Sequence, residues 1–300
     1  MINILILSAG TRDKVVQYFK EALAGKGKVI ATDCSPYAPA IYEADEYVLV
    51  PRITEPGYLD KILEICREKQ ITGVLSLIDP ELSLLADNKE RFLEVGTVPI
   101  VPDAKQVDIC FHKYAMYEAC KALGFATGRC FLDRKEFYHA VENGELTYPV
   151  FVKPESGSAS LDIHMAQDQE TVEFLCGRED GLMIQEFMNG QEYGADVYID
   201  MLSGEVVSIF VKKKLKMRAG ETDKAESFQE EKLFALITDF VKKMGFRGII
   251  DIDLFEIDGE QALSISPQGL EREEYRFQNI YQSGYFLLKE DKINVKEFQE

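Results

Sequence analysis

Tyr148-Pro149-Val150-Phe151-Val152-Lys153-Pro154-Glu155-Ser156-Gly157-Ser158-Ala159-Ser160-Leu161 runs from an apolar segment through a lysine into a string of small residues. The apolar part reads as a buried strand ending at Lys153, followed by a loop and then a return strand. Small residues let a backbone come close to a phosphate, and their N–H groups can converge on it. A lysine at the strand end adds a point charge for the same phosphates. No Gly-Lys-Ser/Thr follows at the required spacing, which excludes a Walker A loop. On these residues alone, an ordinary hairpin with a Ser/Gly-rich turn stands level with a phosphate-binding loop.

On the N-terminal side, strands alternate with helices. Ile2–Ser8 is a continuous apolar run, the pattern of a strand buried on both faces of a parallel sheet. Ala9-Gly10-Thr11 turns into a helix over Arg12–Ala24, and a second strand, Lys28–Thr32, ends at Asp33. Further strands are expected at Glu46–Val50, Gly73–Ile78 and Thr97–Val101, with helices at Tyr58–Lys69 and Glu81–Phe92. These spacings predict a doubly wound α/β unit of about one hundred residues. Gly10 is the only glycine in the first turn, so the Gly-x-Gly-x-x-Gly fingerprint is absent and a nicotinamide cofactor at Asp33 is disfavoured. Asp79 and Glu81 fall at the carboxyl end of a central strand, where ligands of open α/β sheets bind. With Pro80 between them, they read rather as acidic residues favouring a helix N-terminus.

On the C-terminal side the pattern changes. A helix is expected over Lys113–Leu123, a strand at Arg129–Leu132, and a helix over Glu136–Glu142. After the opening hairpin come strand Ile163–Ala166, helix Gln169–Cys176 and strand Leu182–Phe187. Long antiparallel strands Glu192–Asp200 and Val206–Leu215 are joined by a turn holding Gly204. Ala225–Met244 is amphipathic at helical spacing and ends at Gly245. Ile249–Ile257 alternates and is expected to pair through Asp258-Gly259 with Gln261–Ile265.

Composition narrows the function classes. At 300 residues, two or three subdomains are expected, and 46% hydrophobic with 29% charged residues is ordinary for a soluble globular chain. A net charge of −18 argues against nucleic acid as a partner, because binding phosphate backbones needs lysine and arginine. A nucleotide needs only a local cluster of positive charge. The cysteines are scattered without a Cys-x-x-Cys pair, which fits reduced thiols in the cytoplasm. The apolar start is too short to span a membrane and has no cationic flank.

The order of these features resembles the ATP-grasp superfamily: a small α/β unit, a lysine-bearing helix, the Lys-Pro hairpin, then "IQEFMNGQEYGADVYID" and "DIDLFEIDGE". The similarity extends from Met1 to about Pro267 and looks nearest to stand-alone proteins related to the carbamoyl-phosphate synthase large chain. It implies an α/β and α+β fold in which a Rossmann-like pre-ATP-grasp domain (1–105) precedes two ATP-grasp subdomains (106–186 and 187–270) and a divergent tail (271–300). The function it implies is an ATP-dependent carboxylate–amine ligase working through an acyl phosphate. Its partners would be ATP, Mg²⁺, a small carboxylate and an amine, with no nucleic acid or membrane and with a homodimer as a common assembly.

Residue by residue, Lys113 and Lys153 match the family's two phosphate-contacting lysines, and Ser156, Gly157, Ser158 and Ser160 match the loop that closes on the phosphates. Gln185, Glu186, Phe187 and Met188 match the hinge that reads adenine. Glu192 matches the acid for the ribose hydroxyls. Lys212 and Lys214, on one face of their strand, match basic side chains offered to the active site. Arg218 and Lys224 fall in an expected loop near the substrate, with Gly220 and Glu221 between them. Singly, Lys113 reads equally as a solvated helix lysine and Glu192 as a plain strand acid; their joint order favours the site.

Asp253 matches the family's first metal-ligating acid, with Asp251 expected on the opposite face of its strand. The second metal segment, Glu-x-Asn in the family, is here Ser264-Ile265-Ser266, followed by Pro267-Gln268. Mg²⁺ takes hard oxygen ligands, so losing a bridging carboxylate leaves the expected metal site incomplete. Two expectations follow: a ligase rescued by Glu271, Glu273 or Glu274, or a relative that binds nucleotide without efficient turnover.

Overall fold

The computed structural model describes residues 1–76, 78–157, 162–218 and 222–257, and the backbone of 221 and 275–281. Among these, the strands form three sheets. The first is parallel, with order β3-β2-β1-β4-β5, built from β1 (Ile4–Leu7), β2 (Val29–Asp33), β3 (Glu46–Leu49), β4 (Gly73–Ser76) and β5 (Val98–Pro99). Both faces of β1 are used. Ile4 and Ile6 join α1 (Asp13–Leu23) in one core, while Leu5 and Leu7 join α2 (Tyr58–Glu68) and α3 (Asp79–Asp87) in another. Double burial explains why the strand is apolar throughout rather than alternating.

The helix expected over Glu81–Phe92 is two, α3 and α4 (Lys89–Glu94), broken at Asn88 (φ −112°, ψ 19°). The Asn88 side-chain amide donates to the Leu84 carbonyl at 2.9 Å, a local bond that competes with helix continuation. A further helix, α5 (Ala104–Phe111), precedes α6 (Lys113–Ala122) and was not expected.

The second sheet is antiparallel, with order β6-β9-β7-β8: β6 (Cys130–Phe131), β9 (Leu182–Glu186), β7 (Val150–Pro154) and β8 (His164–Ala166). The quoted stretch thus holds β7, which pairs antiparallel with β8, while its residues 158–161 lie outside the described residues. Val150, Val152 and Ile184 face a core made with α7 (Arg134–Glu142) and α8 (Gln169–Cys176). Strand alternation sends Phe151, Lys153 and Gln185 to the opposite face. Asp133 and Asp168 cap these helices, accepting from the backbone N–H groups of Lys135 and Glu136 and of Thr171.

The third sheet is antiparallel, with order β12-β11-β10-β13-β14: β10 (Gln191–Ile199), β11 (Val206–Arg218), β12 (Glu221–Phe228), β13 (Gly248–Glu256) and β14 (Tyr275–Tyr281). Tyr193, Ala195, Val197, Val211, Ile250, Ile252 and Leu254 pack on α9 (Glu231–Met244) and on Met116 and Cys120 of α6. Residues 225–228, taken from the sequence as the start of the amphipathic helix, belong instead to β12. There Phe228 pairs with Val211 and its ring meets that of Tyr193 at 5.2 Å. Arg218 and Lys224, expected in a loop, lie in the same hairpin, on β11 and β12. The strand paired with the second edge of β13 is β14, and the expected partner Gln261–Ile265 lies outside the described residues. No described helix is long and apolar enough to cross a membrane.

Candidate functional site

The junction between α5 and α6 is stitched to the end of β7. Lys113 N–H donates to the Glu155 carbonyl (2.9 Å), Gly157 N–H to the Phe111 carbonyl (3.2 Å), and His112 forms an isolated bridge with Ser156. The His112 ring nitrogen Nδ1 lies 2.8 Å from Glu155 Oε2. These bonds lay Lys113 across the start of the small-residue loop. Its Nζ donates to the carbonyls of Pro154 (3.0 Å) and Gly157 (2.9 Å). Burial lowers the pKa of this half-buried lysine. Ser156 and Gly157 are therefore held at the loop's first turn; Ser158 and Ser160 lie outside the described residues.

Lys153 is 2% exposed. Burial pushes its pKa down to about 8, with Lys113 adding to the fall while Cys130 and Asp253 oppose it. The lysine at the end of the opening strand thus feels both the helix lysine and an aspartate of the third sheet. Gln185, buried, sits opposite Phe151 and Cys130 in the ladder. Glu186 accepts from Arg129 N–H at 2.9 Å. Phe187 and Met188 occupy the link from β9 to β10, the Phe187 ring 5.5 Å from that of Phe151 and Met188 buried.

The face of the third sheet turned away from α9 is charged. Glu192 and Asp196 on β10, Lys212 and Lys214 on β11, and Asp251 and Asp253 on β13 share it. Asp251 does not lie on the opposite face from Asp253: residues two apart in a strand point the same way, and Asp251 stands directly opposite Asp196. Lys212 Nζ donates to Asp196 Oδ2 at 2.9 Å. Lys214 Nζ donates to Glu192 Oε1 at 2.8 Å and to Asp253 Oδ1 at 2.5 Å. Burial works against charge on Lys214, but Asp253 and Glu192 outweigh it and hold the ammonium above the ordinary lysine range. Burial raises the carboxyls of Asp196 and Asp251; for Asp251, the facing Asp253 and Asp196 add to the rise.

Gly194 is what lets both lysines cross β10. A Cβ there would stand 2.7 Å from Lys212 Cε and 3.3 Å from Lys214 Cε. Gly194 and Asp196 escaped the sequence reading, although Glu192-x-Gly194-x-Asp196 is a period-two pattern on the same face as Lys212 and Lys214.

Arg218 and Lys224 do not join this group. Arg218 is four residues beyond Lys214, about 13 Å along the strand, and both side chains are exposed. Of the metal residues, Asp253 is described, whereas Ser264, Ser266 and the acids at 271, 273 and 274 are not. Among the described residues, no group of three His, Cys, Asp or Glu side chains could hold a metal ion. Since Lys214 spans Glu192 and Asp253, the donors among the described residues do not fit Mg²⁺, which takes free carboxylate oxygens.

At the carboxyl end of the parallel sheet, Glu81 is fully buried. Its carboxylate accepts from Ser8 Oγ (2.6 Å), Tyr58 Oη (2.5 Å) and Ser76 Oγ (2.6 Å). Asp79 and Glu81 do fall in the first turn of α3, with Pro80 between them, as expected of acidic residues at a helix N-terminus; no side chain caps α3, and the Glu81 carboxylate also ties Ser8, Tyr58 and Ser76 together. Asp33 accepts from Gly10 N–H (2.9 Å) and Ser35 N–H (2.8 Å), so both its oxygens serve the turns around it.

Residues 4–101 match the PylC-like N-terminal domain family, and residues 110–267 match the ATP-grasp domain family. Over 109 residues the chain is 29% identical to the D-alanine–D-alanine ligase of Ruminiclostridium cellulolyticum, covering 31% of this chain and 29% of that protein. A 50-residue stretch is 48% identical to sucrose-6-phosphate hydrolase of Bacillus subtilis, 14% of this chain and 10% of that one. The chain thus spans under a third of the curated relatives it matches. The fold is similar to N5-carboxyaminoimidazole synthetase from Staphylococcus aureus (TM-score 0.69, 13% identity, 95% of this chain and 71% of that one). It is also similar to the biotin carboxylase domain of Hydrogenobacter thermophilus 2-oxoglutarate carboxylase, a dimer solved with MgADP and bicarbonate (TM-score 0.70, 15% identity, 100% and 69%). At these identities the likeness is one of fold. With more than half of its residues matched, the chain belongs to the ATP-grasp family.

Proposed function

We propose that this chain binds ATP between the second sheet and the charged face of the third, and uses it to join a small carboxylate to an amine. The observation that carries the proposal is Lys153, buried at the end of β7 and within electrostatic reach of both Lys113 and Asp253 of the third sheet. Two lysines poised beside a small-residue loop offer charge and backbone N–H groups to a triphosphate. In this scheme Lys113, Lys153 and residues 156–160 hold the phosphates, Gln185 to Met188 receive adenine, and Glu192 receives the ribose. The substrate carboxylate oxygen attacks the γ-phosphorus and ADP leaves, giving an acyl phosphate. The amine then attacks the carbonyl carbon, phosphate departs, and the amine's proton passes to solvent. Arg218 and Lys224 would have to swing inward with their hairpin to steady that intermediate. We assign 1–105, 106–186 and 187–270 as the three working units, in a cytoplasmic homodimer.

ADP release that requires both a carboxylate and an amine supports the scheme. ATP binding with no ADP release across a broad panel of both overturns the ligase half of it. That second result would favour a member that binds nucleotide with impaired turnover, a reading supported by the Lys214 ion pairs and by serine at 264 and 266.

A further inference from the structure

We propose that Lys214 serves as the built-in counter-cation of the bound nucleotide, so that this chain takes up ATP without a divalent metal. The proposal rests on the nucleotide reading above and adds how the phosphate charge is met. Lys214 Nζ lies between Glu192 of β10 and Asp253 of β13, in ion pairs of 2.8 and 2.5 Å, with its side chain 8% exposed. One ammonium therefore holds together Asp253, the acid matched to the metal, and Glu192, the acid matched to the ribose, and takes up a carboxylate oxygen of each that an entering cation would need. Asp196, the next acid along the face, is neutralised separately by Lys212 at 2.9 Å. Gly194 leaves both lysine stems room to cross the strand, so the arrangement is built into the sheet.

The sequence agrees from an independent direction. The segment that would supply a second carboxylate ligand reads Ser264-Ile265-Ser266. A divalent ion would have to displace Lys214 from two carboxylates at once and leave the buried ammonium unpaired, which opposes metal entry. The ammonium keeps its three donors, so it can bond a phosphate oxygen while holding its carboxylates. Asp253, which Lys214 holds, is also within electrostatic reach of Lys153.

The test measures ATP binding to the full chain by calorimetry in excess EDTA and in excess magnesium, together with Mn²⁺ binding to the nucleotide-free chain by electron paramagnetic resonance. The expected result is an ATP Kd that differs by less than about threefold between the buffers, with no manganese bound. Lys214→Met is expected to weaken ATP binding in EDTA about tenfold or more and to create a manganese site at the freed Glu192 and Asp253. Lys214→Arg is expected to keep metal-free binding. A Kd more than about tenfold weaker in EDTA, or manganese bound by the unaltered chain, overturns the proposal whether or not the variants fold. ATP binding in neither buffer overturns the nucleotide reading instead. The manganese comparison then still decides whether Lys214 closes the site to metal.

Discussion

Replacing Lys153 by methionine is expected to stabilise the fold while abolishing ATP binding. The side chain is 2% exposed, and burial brings its pKa from the ordinary 10.5 to about 8. A folded-state pKa below the unfolded value means that the native protein resists the charged form. At about 1.4 kcal/mol for each pH unit separating the two values, the protonated lysine costs the native state about 3 kcal/mol below pH 8. That penalty fades as the pH rises from about 8 to about 10.5, where the unfolded chain also loses the proton. Methionine keeps a flexible, unbranched stem of similar size without the charge. Urea unfolding near neutral pH should place Lys153→Met above the parent by roughly 3 kcal/mol, and the gap should close by about pH 10.5. Calorimetry with ATP should show no binding. A variant less stable than the parent at neutral pH, or a gap that does not shrink as the pH rises, would refute the claim that this ammonium is held at a cost for ligand binding.

Three further outcomes are expected. ATP affinity should be flat below about pH 8 and fall by up to tenfold per pH unit above it, since the free protein loses the Lys153 proton that the bound phosphates would retain; calorimetry across the range checks this, and a flat profile counts against Lys153 as a phosphate ligand. Gly190→Ala would put a Cβ 2.1 Å from the Glu256 carbonyl oxygen, so the link into β10 must shift, costing about 1–3 kcal/mol in urea unfolding; an unchanged midpoint contradicts the close approach. Glu81→Gln replaces charge-assisted acceptors of three hydroxyl bonds, and about 1–3 kcal/mol of lost stability should appear as faster amide exchange in β1 and β4.

How much of this was legible in the sequence depends on what fixed each feature. The parallel sheet was legible because burial on both faces writes itself as continuous apolar runs such as Ile4–Leu7. Helix α5 was missed because only Val107 in Ala104–Phe111 is buried, too little for a periodic signal. Residues 225–228 were misassigned because a single aromatic, Phe228, falls at a spacing that suits either a helix or an edge strand. Cross-strand pairing with Val211 decided between them. The expected face of Asp251 ran against strand periodicity, since alternation alone puts Asp251 and Asp253 together.

The candidate site could be listed from the sequence as a set of residues but not as a set of partnerships. Lys113, Lys153, Glu192, Lys214 and Asp253 could each be picked out by order along the chain. That Lys214 bonds both Glu192 and Asp253 follows only from the strand order β11-β10-β13, which brings residues 22 and 39 positions apart onto one face. The opening hairpin shows the same limit. Its small residues fit a plain turn as well as a phosphate loop. What the structure adds is the bonding of Phe111 and Lys113, some 40 positions earlier, to Pro154, Glu155 and Gly157. An anion entering the loop would draw that ammonium off Pro154 and Gly157, so the contact that fixes the loop in the free protein is also the one a phosphate would exchange.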